Sequence, residues 1–169
     1  MQVKELMIPL SDCAKIPADR NLFDAVMILE VSRQRLDRLD YRPRVVLVYD
    51  RELHIIGSLR QFDIMSGLIS REKSGQGKLS IGEMIPDCRK ALAEIFHTAR
   101  VLKVREVMHP YSQDEYISEE ASIEEGICKL VVGHFPNLIV QSGEISTGVF
   151  RLSDVFSMLS RDIKRSGLK

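Results

Sequence analysis

Two arginine–aspartate pairs share one spacing. Arg60 stands three residues before Asp63, and Arg151 three before Asp154. In both places an apolar pattern of helical period follows the acid, so the aspartate falls in a first helical turn, where its charge suits the helix macrodipole. From there an arginine three residues upstream can reach back, and its planar fork matches a carboxylate through two parallel hydrogen bonds. The residues alone leave two roles open. Either each guanidinium is spent on its own aspartate, or it points outward and meets a phosphate.

Other chemistry is poorly supplied. The stretch Ser74-Gly75-Gln76-Gly77-Lys78 lacks the first glycine of a phosphate-binding loop, having Glu72 there, and follows its lysine with Leu79 where a hydroxyl is required. His54, His97, His109 and His134 have no metal-ligand spacing, so no metal is expected. No Ser, Cys or His stands in a nucleophile context, and no catalytic residue or enzymatic activity is expected. Cys13, Cys88 and Cys128 form no C-x-x-C pair and read as reduced, mostly buried thiols of a cytoplasmic protein. Arg33, Arg35, Arg38, Arg42 and Arg44, interleaved with Asp37 and Asp40, read as a solvated charged segment. The chain balances 24 basic against 24 acidic side chains, which argues against a nucleic-acid partner, and no apolar run approaches a membrane span.

The elements that must hold these residues occur twice. At an offset of 101 residues, Val3, Glu5, Met7 and Pro9 fall on Val104, Glu106, Met108 and Pro110. Farther along, Gly57, Arg60, Asp63, Ser66 and Leu68 fall on Gly148, Arg151, Asp154, Ser157 and Leu159 at an offset of 91. Copy 1 therefore carries ten more residues, assigned to the charged segment 34–44. Each copy reads strand, helix, strand, strand, helix. The first helix of copy 1 follows Asn21, a good N-cap, and buries Leu22, Ala25, Val26 and Leu29. That of copy 2 follows Ser122, with Glu125 completing a capping box, and buries Ile123, Ile127 and Leu130 around Gly126. Apolar runs at 45–49, 54–59, 138–140 and 145–150 predict the strands, and the second helices carry Met65, Leu68, Phe156 and Leu159. The division is copy 1 at 1–70, a linker at 71–100, and copy 2 at 101–169. Within the linker, REKSGQGK reads as a polar turn, and one helix at 87–100 presents Cys88, Leu92, Ile95, Phe96 and Ala99 on a single face. A copy of about 60 residues is marginal alone, so the two are expected to pack together.

The opening motif V-x-E-x-M-x-P (VKELMIP, VREVMHP) and the closing motif G-x-x-x-x-x-D (GSLRQFD, GVFRLSD), each found twice and in order, resemble those of CBS (cystathionine-beta-synthase-type) domains over nearly the whole chain outside the linker. The resemblance implies an α/β (α+β) fold of two β-α-β-β-α repeats packed as a pseudo-twofold pair, with an extra linker helix. It further implies a stand-alone, non-catalytic regulatory module that takes an adenosine-type ligand (AMP, ADP, ATP or S-adenosylmethionine) in clefts between the repeats, forms a homodimer and signals to an effector protein. The ligand-binding residues it points to are Asp63 and Asp154, whose carboxylates would accept from a ribose diol, with Arg60 and Arg151 near the phosphate. Family members place Ser or Thr where this chain has the two arginines. That departure also admits a CBS-fold interaction scaffold that has lost its ligand. No resident cofactor is implied.

Overall fold

The computed structural model describes residues 1–35, 45–69 and 81–166. Gln34 and Arg35 end a helix, and residues 36–44 of the charged segment lie outside the described residues, as does the polar stretch 71–78. Copy 1 contributes β1 (Ile8–Pro9), β2 (Lys15–Pro17), α1 (Leu22–Arg35), β3 (Val45–Tyr49), β4 (Ile55–Arg60) and α2 (Gln61–Ile69). Two helices follow, α3 (Ile81–Ala93) and α4 (Ile95–Val101). Copy 2 contributes β5 (His109–Pro110), β6 (Tyr116–Ser118), α5 (Ile123–Val132), β7 (Asn137–Ser142), β8 (Ile145–Arg151) and α6 (Leu152–Ser166). Both copies thus realise the expected strand, helix, strand, strand, helix order, within two four-stranded mixed sheets ordered β2-β3-β4-β5 and β1-β8-β7-β6.

The chain divides into two compact units, and the cut does not follow the repeat in the sequence. Unit 1 comprises Met1–Cys13 and Tyr111–Lys169; unit 2 is the continuous stretch Ala14–Pro110. Each unit therefore joins the opening motif of one copy to the body of the other. The register is the same on both sides. Val3 N–H donates to Ala121 O at 2.9 Å, and Val104 N–H to Arg20 O at 2.8 Å. Lys4 N–H donates to Glu119 O, and Arg105 N–H to Ala18 O. β1 lies antiparallel to β8 with Pro9 opposite Gly148, and β5 lies antiparallel to β4 with Pro110 opposite Gly57.

The motif residues have plain structural roles here. Val3 and Val104 are fully buried, each in the core of its unit. Glu5 and Glu106 accept the N–H of Gln2 and Lys103 at 2.7 and 2.8 Å, closing short 3-10 turns. A β-carbon on Gly57 would stand 2.5 Å from His109 O, and one on Gly148 only 2.6 Å from Met7 Sδ. Glycine at the closing motif is what lets the opening strand approach.

Helix starts follow the sequence closely. Asn21 Oδ1 accepts from Asp24 N–H at 2.9 Å, and Ser122 Oγ from Glu125 N–H at 3.1 Å. The exchanged segments complete these ends, because Leu22 N–H donates to Leu102 O and Ile123 N–H to Met1 O. Leu22, Ala25 and Leu29 are buried as expected, as are Ile123, Gly126 and Leu130. Val26 is exposed instead, since the narrow core face of α1 runs through Ala25.

Two further expectations change. The helix predicted at 87–100 is two helices. α3 begins at Ile81 and runs through Pro86, and the chain breaks at Glu94 (φ −100°, ψ 5°) before α4. The break divides the supposed single face. Ile95 and Ala99 pack on the unit 2 core while Leu92 is exposed and Phe96 is 81% exposed. Of the thiols, Cys13 and Cys88 are half-buried and Cys128 is exposed, because Cys128 lies off the α5 face that buries Gly126 and Leu130.

Unit 2 holds its full set of strands and core in one continuous stretch, so the fragment 14–110 is expected to fold alone and melt cooperatively. Ending it at residue 103 removes Val104 and β5; fully burying a valine side chain is worth about 1.5–3 kcal/mol, and each kcal/mol shifts the melting temperature of so small a unit by about 4–8 °C. Circular dichroism melts of the two fragments check this: equal midpoints would refute the role assigned to the exchanged segment.

Candidate functional site

Both arginine–aspartate pairs form at equivalent corners, where the last long strand runs into the second helix. In unit 2, Arg60 Nε donates to Asp63 Oδ2 and Nη2 to Oδ1, both at 2.9 Å, and the Arg60 backbone N–H adds a third bond to Oδ2 at 2.8 Å. In unit 1, Arg151 Nε and Nη2 donate to Asp154 Oδ2 and Oδ1, both at 2.6 Å. Each arginine thus reaches back to its own carboxylate in the two-bond geometry that guanidinium and carboxylate favour.

The corners differ in which partner is covered. The Asp63 side chain is 9% exposed and Arg60 41%, whereas Asp154 is 24% exposed and Arg151 19%. Burial opposes ionisation of Asp63, yet the Arg60 guanidinium and backbone N–H, together with His109 on β5, hold its carboxyl below the usual carboxylate range.

Their surroundings differ more. In unit 1, Asn137 opens β7 directly opposite Arg151, is buried, and donates from its side-chain amide to Tyr111 Oη at 3.1 Å. Tyr111 and Tyr116 meet edge to face with ring centroids 6.1 Å apart. Lys129 Nζ donates to the Tyr116 carbonyl at 2.6 Å, and burial, with the adjacent Glu115 charge, raises the Tyr116 phenol above its ordinary value. Strand register puts Val45 of copy 1 where copy 2 has Asn137, since Val45 pairs with Arg60 as Asn137 pairs with Arg151. In the sequence the motif offset aligns Leu10 with Tyr111 and Lys15 with Tyr116, but Leu10 lies in unit 1 and so does not stand beside the Arg60 corner. Sequence reasoning passed over Tyr111, Tyr116 and Asn137. A residue-by-residue comparison of the copies carries the signal, but Asn137 aligns with Val45 only once the extra hairpin residue of copy 1 is placed.

An open cleft of about 410 Å³ lies elsewhere in unit 2, bounded by Pro17, Arg20, Asp24, Met27 and Tyr49, at the far end of β3 from Val45 and Arg60. His54 does meet carboxylates, with Nδ1 3.4 Å from Asp50 and 3.6 Å from Glu52, on an exposed hairpin away from the arginine–aspartate corners. Among the described residues, no helix is long and apolar enough to cross a membrane.

This architecture is the CBS-pair fold. CBSX2, solved in complex with AMP, matches with a TM-score of 0.63 at 16% identity, over 95% of this chain and 97% of that one. A CBS domain-containing protein of unknown function from Bacillus anthracis matches at 0.66 and 17% identity, over 95% and 94%. A hypothetical conserved protein from Geobacillus kaustophilus matches at 0.63 and 18% identity, over 96% and 98%. No family model and no curated protein matches the sequence.

Asp63→Asn is expected to destabilise unit 2 by about 1–2 kcal/mol near neutral pH, a charge-assisted pair discounted for the solvent reaching Arg60. A carboxyl held below its unfolded value stabilises above about pH 4. That contribution is lost as pH falls through the lowered folded value. Melting curves of wild type and variant should therefore differ at pH 7 and converge toward pH 2–3; a gap that persists at low pH would show that ionisation is not its source.

Proposed function

We propose that this chain is a non-catalytic regulatory module that senses an adenosine-type ligand (AMP, ADP, ATP or S-adenosylmethionine) and passes the change to a partner protein. The observation that carries the reading is the arginine–aspartate fork at both equivalent corners of a CBS-pair fold. A structural relative, CBSX2, has been solved with AMP. The carboxylate offers acceptors for a ribose diol. The guanidinium offers charge and donors for a phosphate. Bound in place, a nucleotide would break or re-aim the fork, and that local rearrangement is the signal.

One observation favours a second reading, an interaction scaffold without a ligand. Each carboxylate already holds two parallel bonds from its arginine, so the corners are satisfied as they stand. Thermal shift with AMP, ADP, ATP and S-adenosylmethionine separates the two. A ligand that binds only the folded state, at one hundred times its dissociation constant, stabilises by about 2.7 kcal/mol. If Arg60 and Arg151 hold phosphate, Arg60→Thr and Arg151→Thr weaken AMP and ATP but hardly alter adenosine. If they block the corner, all three tighten. No shift with any of the four ligands favours the scaffold.

The module is also proposed to form a homodimer. Leu152, Phe156, Leu159 and Ile163 on α6 of unit 1 are exposed, a run of apolar side chains of the kind that marks an interface, and Met65 on α2 of unit 2 is exposed as well; twofold dimers are the commonest oligomers. Light scattering is expected to return twice the 19.2 kDa chain mass. A mass of one chain at every concentration would rule the dimer out.

A further inference from the structure

We infer that the open cleft of unit 2 is a second binding site, independent of the arginine–aspartate corners, and that it takes a free α-amino acid with an apolar side chain. The cleft holds about 410 Å³, within the range of small-molecule sites. Its walls are mostly apolar: Pro17 at the end of β2, Met27 and Ile28 on α1, and Tyr49 at the end of β3. Met27 is exposed, so an apolar side chain laid against it would remove that surface from water. The rim decides the ligand class, because it carries one cation and one anion, Arg20 and Asp24. Arg20 Nη1 and Asp24 Oδ2 stand 3.6 Å apart, beyond hydrogen-bond distance. Arg51 and Arg105 close instead on Asp19. A polyanion here would face Asp24, a plain amine would face Arg20, and either like-charge meeting counts against the ligand. An α-amino acid carries a carboxylate and an ammonium on one carbon. The carboxylate suits the planar fork of Arg20, and the ammonium donates to Asp24.

The repeat supplies an internal comparison. At the offset of 101, Pro17, Arg20, Met27 and Ile28 fall on Ser118, Ala121, Cys128 and Lys129, and strand register sets Gln141 beside Ser118 as it sets Tyr49 beside Pro17. All these copy 2 residues lie in unit 1, as all those of the cleft lie in unit 2. Copy 2 keeps the acid, as Glu125, but loses the arginine and each of the four wall residues. Its Lys129 is already engaged, donating to the Tyr116 carbonyl at 2.6 Å. The shared framework therefore does not require the arginine or the apolar wall. They occur together in the one copy that has the cleft.

The test is calorimetry on the full chain with leucine, methionine and phenylalanine, and with two truncated forms of the last, phenethylamine and 3-phenylpropionate. At least one of the amino acids is expected to bind. Each truncated form should bind about tenfold or more weakly than phenylalanine, since a site built to pair a polar group rejects a ligand lacking it. Arg20→Ala, which installs the copy 2 residue, and Asp24→Asn should each weaken the amino acid by about tenfold or more, the loss expected for a hydrogen bond to a charged group. Glu125→Gln, the matching change in copy 2, should leave the dissociation constant within about twofold, as surface changes away from a site do. Photolabelling wild type with a diazirine analogue of leucine needs no variant to fold, and the label is expected between residues 16 and 28 or on Tyr49. No binding of the three amino acids at millimolar concentration would overturn the inference. So would equal binding of a truncated form, unchanged binding by Arg20→Ala, or a label confined to unit 1. None of these outcomes bears on the nucleotide reading, which is tested with other ligands at other residues.

Discussion

The fold depends on an exchange of short segments. Each opening motif, too short to have any structure of its own, gives its valine, its backbone N–H groups and a two-residue strand to the body of the other copy. A copy deprived of that segment would expose a helix start, a sheet edge and a hole in its core together. Unpaired backbone and an unfilled core site are both costly, which explains why a glycine stands wherever the exchanged strand lands. Gly57 and Gly148 are where the two motifs meet, and any side chain there would hold the segments apart.

The same arrangement sorts the motif residues by role. Val, Glu, Met, Pro and Gly build the exchange. What is left for chemistry is the arginine–aspartate pair and whatever lines the strand ends beside it. A surface ion pair clasps the exchange as well, Lys4 with Glu120 in unit 1 and Arg105 with Asp19 in unit 2, at equivalent positions. Differences between the copies therefore gather where the shared framework leaves freedom. Asn137 against Val45 is one such difference, at a single register position.

Much of this was legible in the sequence. The offset repeat, the N-caps Asn21 and Ser122 and the apolar spacing are local codes, and the structure realises them. The extra residues of copy 1 divide as strand register shows: β3 is offset from β7 by 92 and β4 from β8 by 91, so nine precede β3 and one lies in the hairpin. The segment exchange was not legible, because VKELMIP and VREVMHP are nearly the same chemistry and each suits either body. The helix through Pro86 was missed because proline's local preference is to end a helix, and here the turns that follow continue it. The fork of Arg60 and Arg151 onto the aspartates was foreseen as one of two geometries. Choosing between them needed atoms rather than spacing.

The discontinuity of unit 1 has a mechanical consequence. Both ends of the described chain belong to unit 1, and unit 2 is spliced into it between Cys13 and Tyr111. Tension applied at those ends runs through β1 and the strands of unit 1 first. It reaches unit 2 only after the first sheet has given way. Unit 2 is thereby sheltered from a pull on the chain ends, and unit 1 is the element that yields first under load.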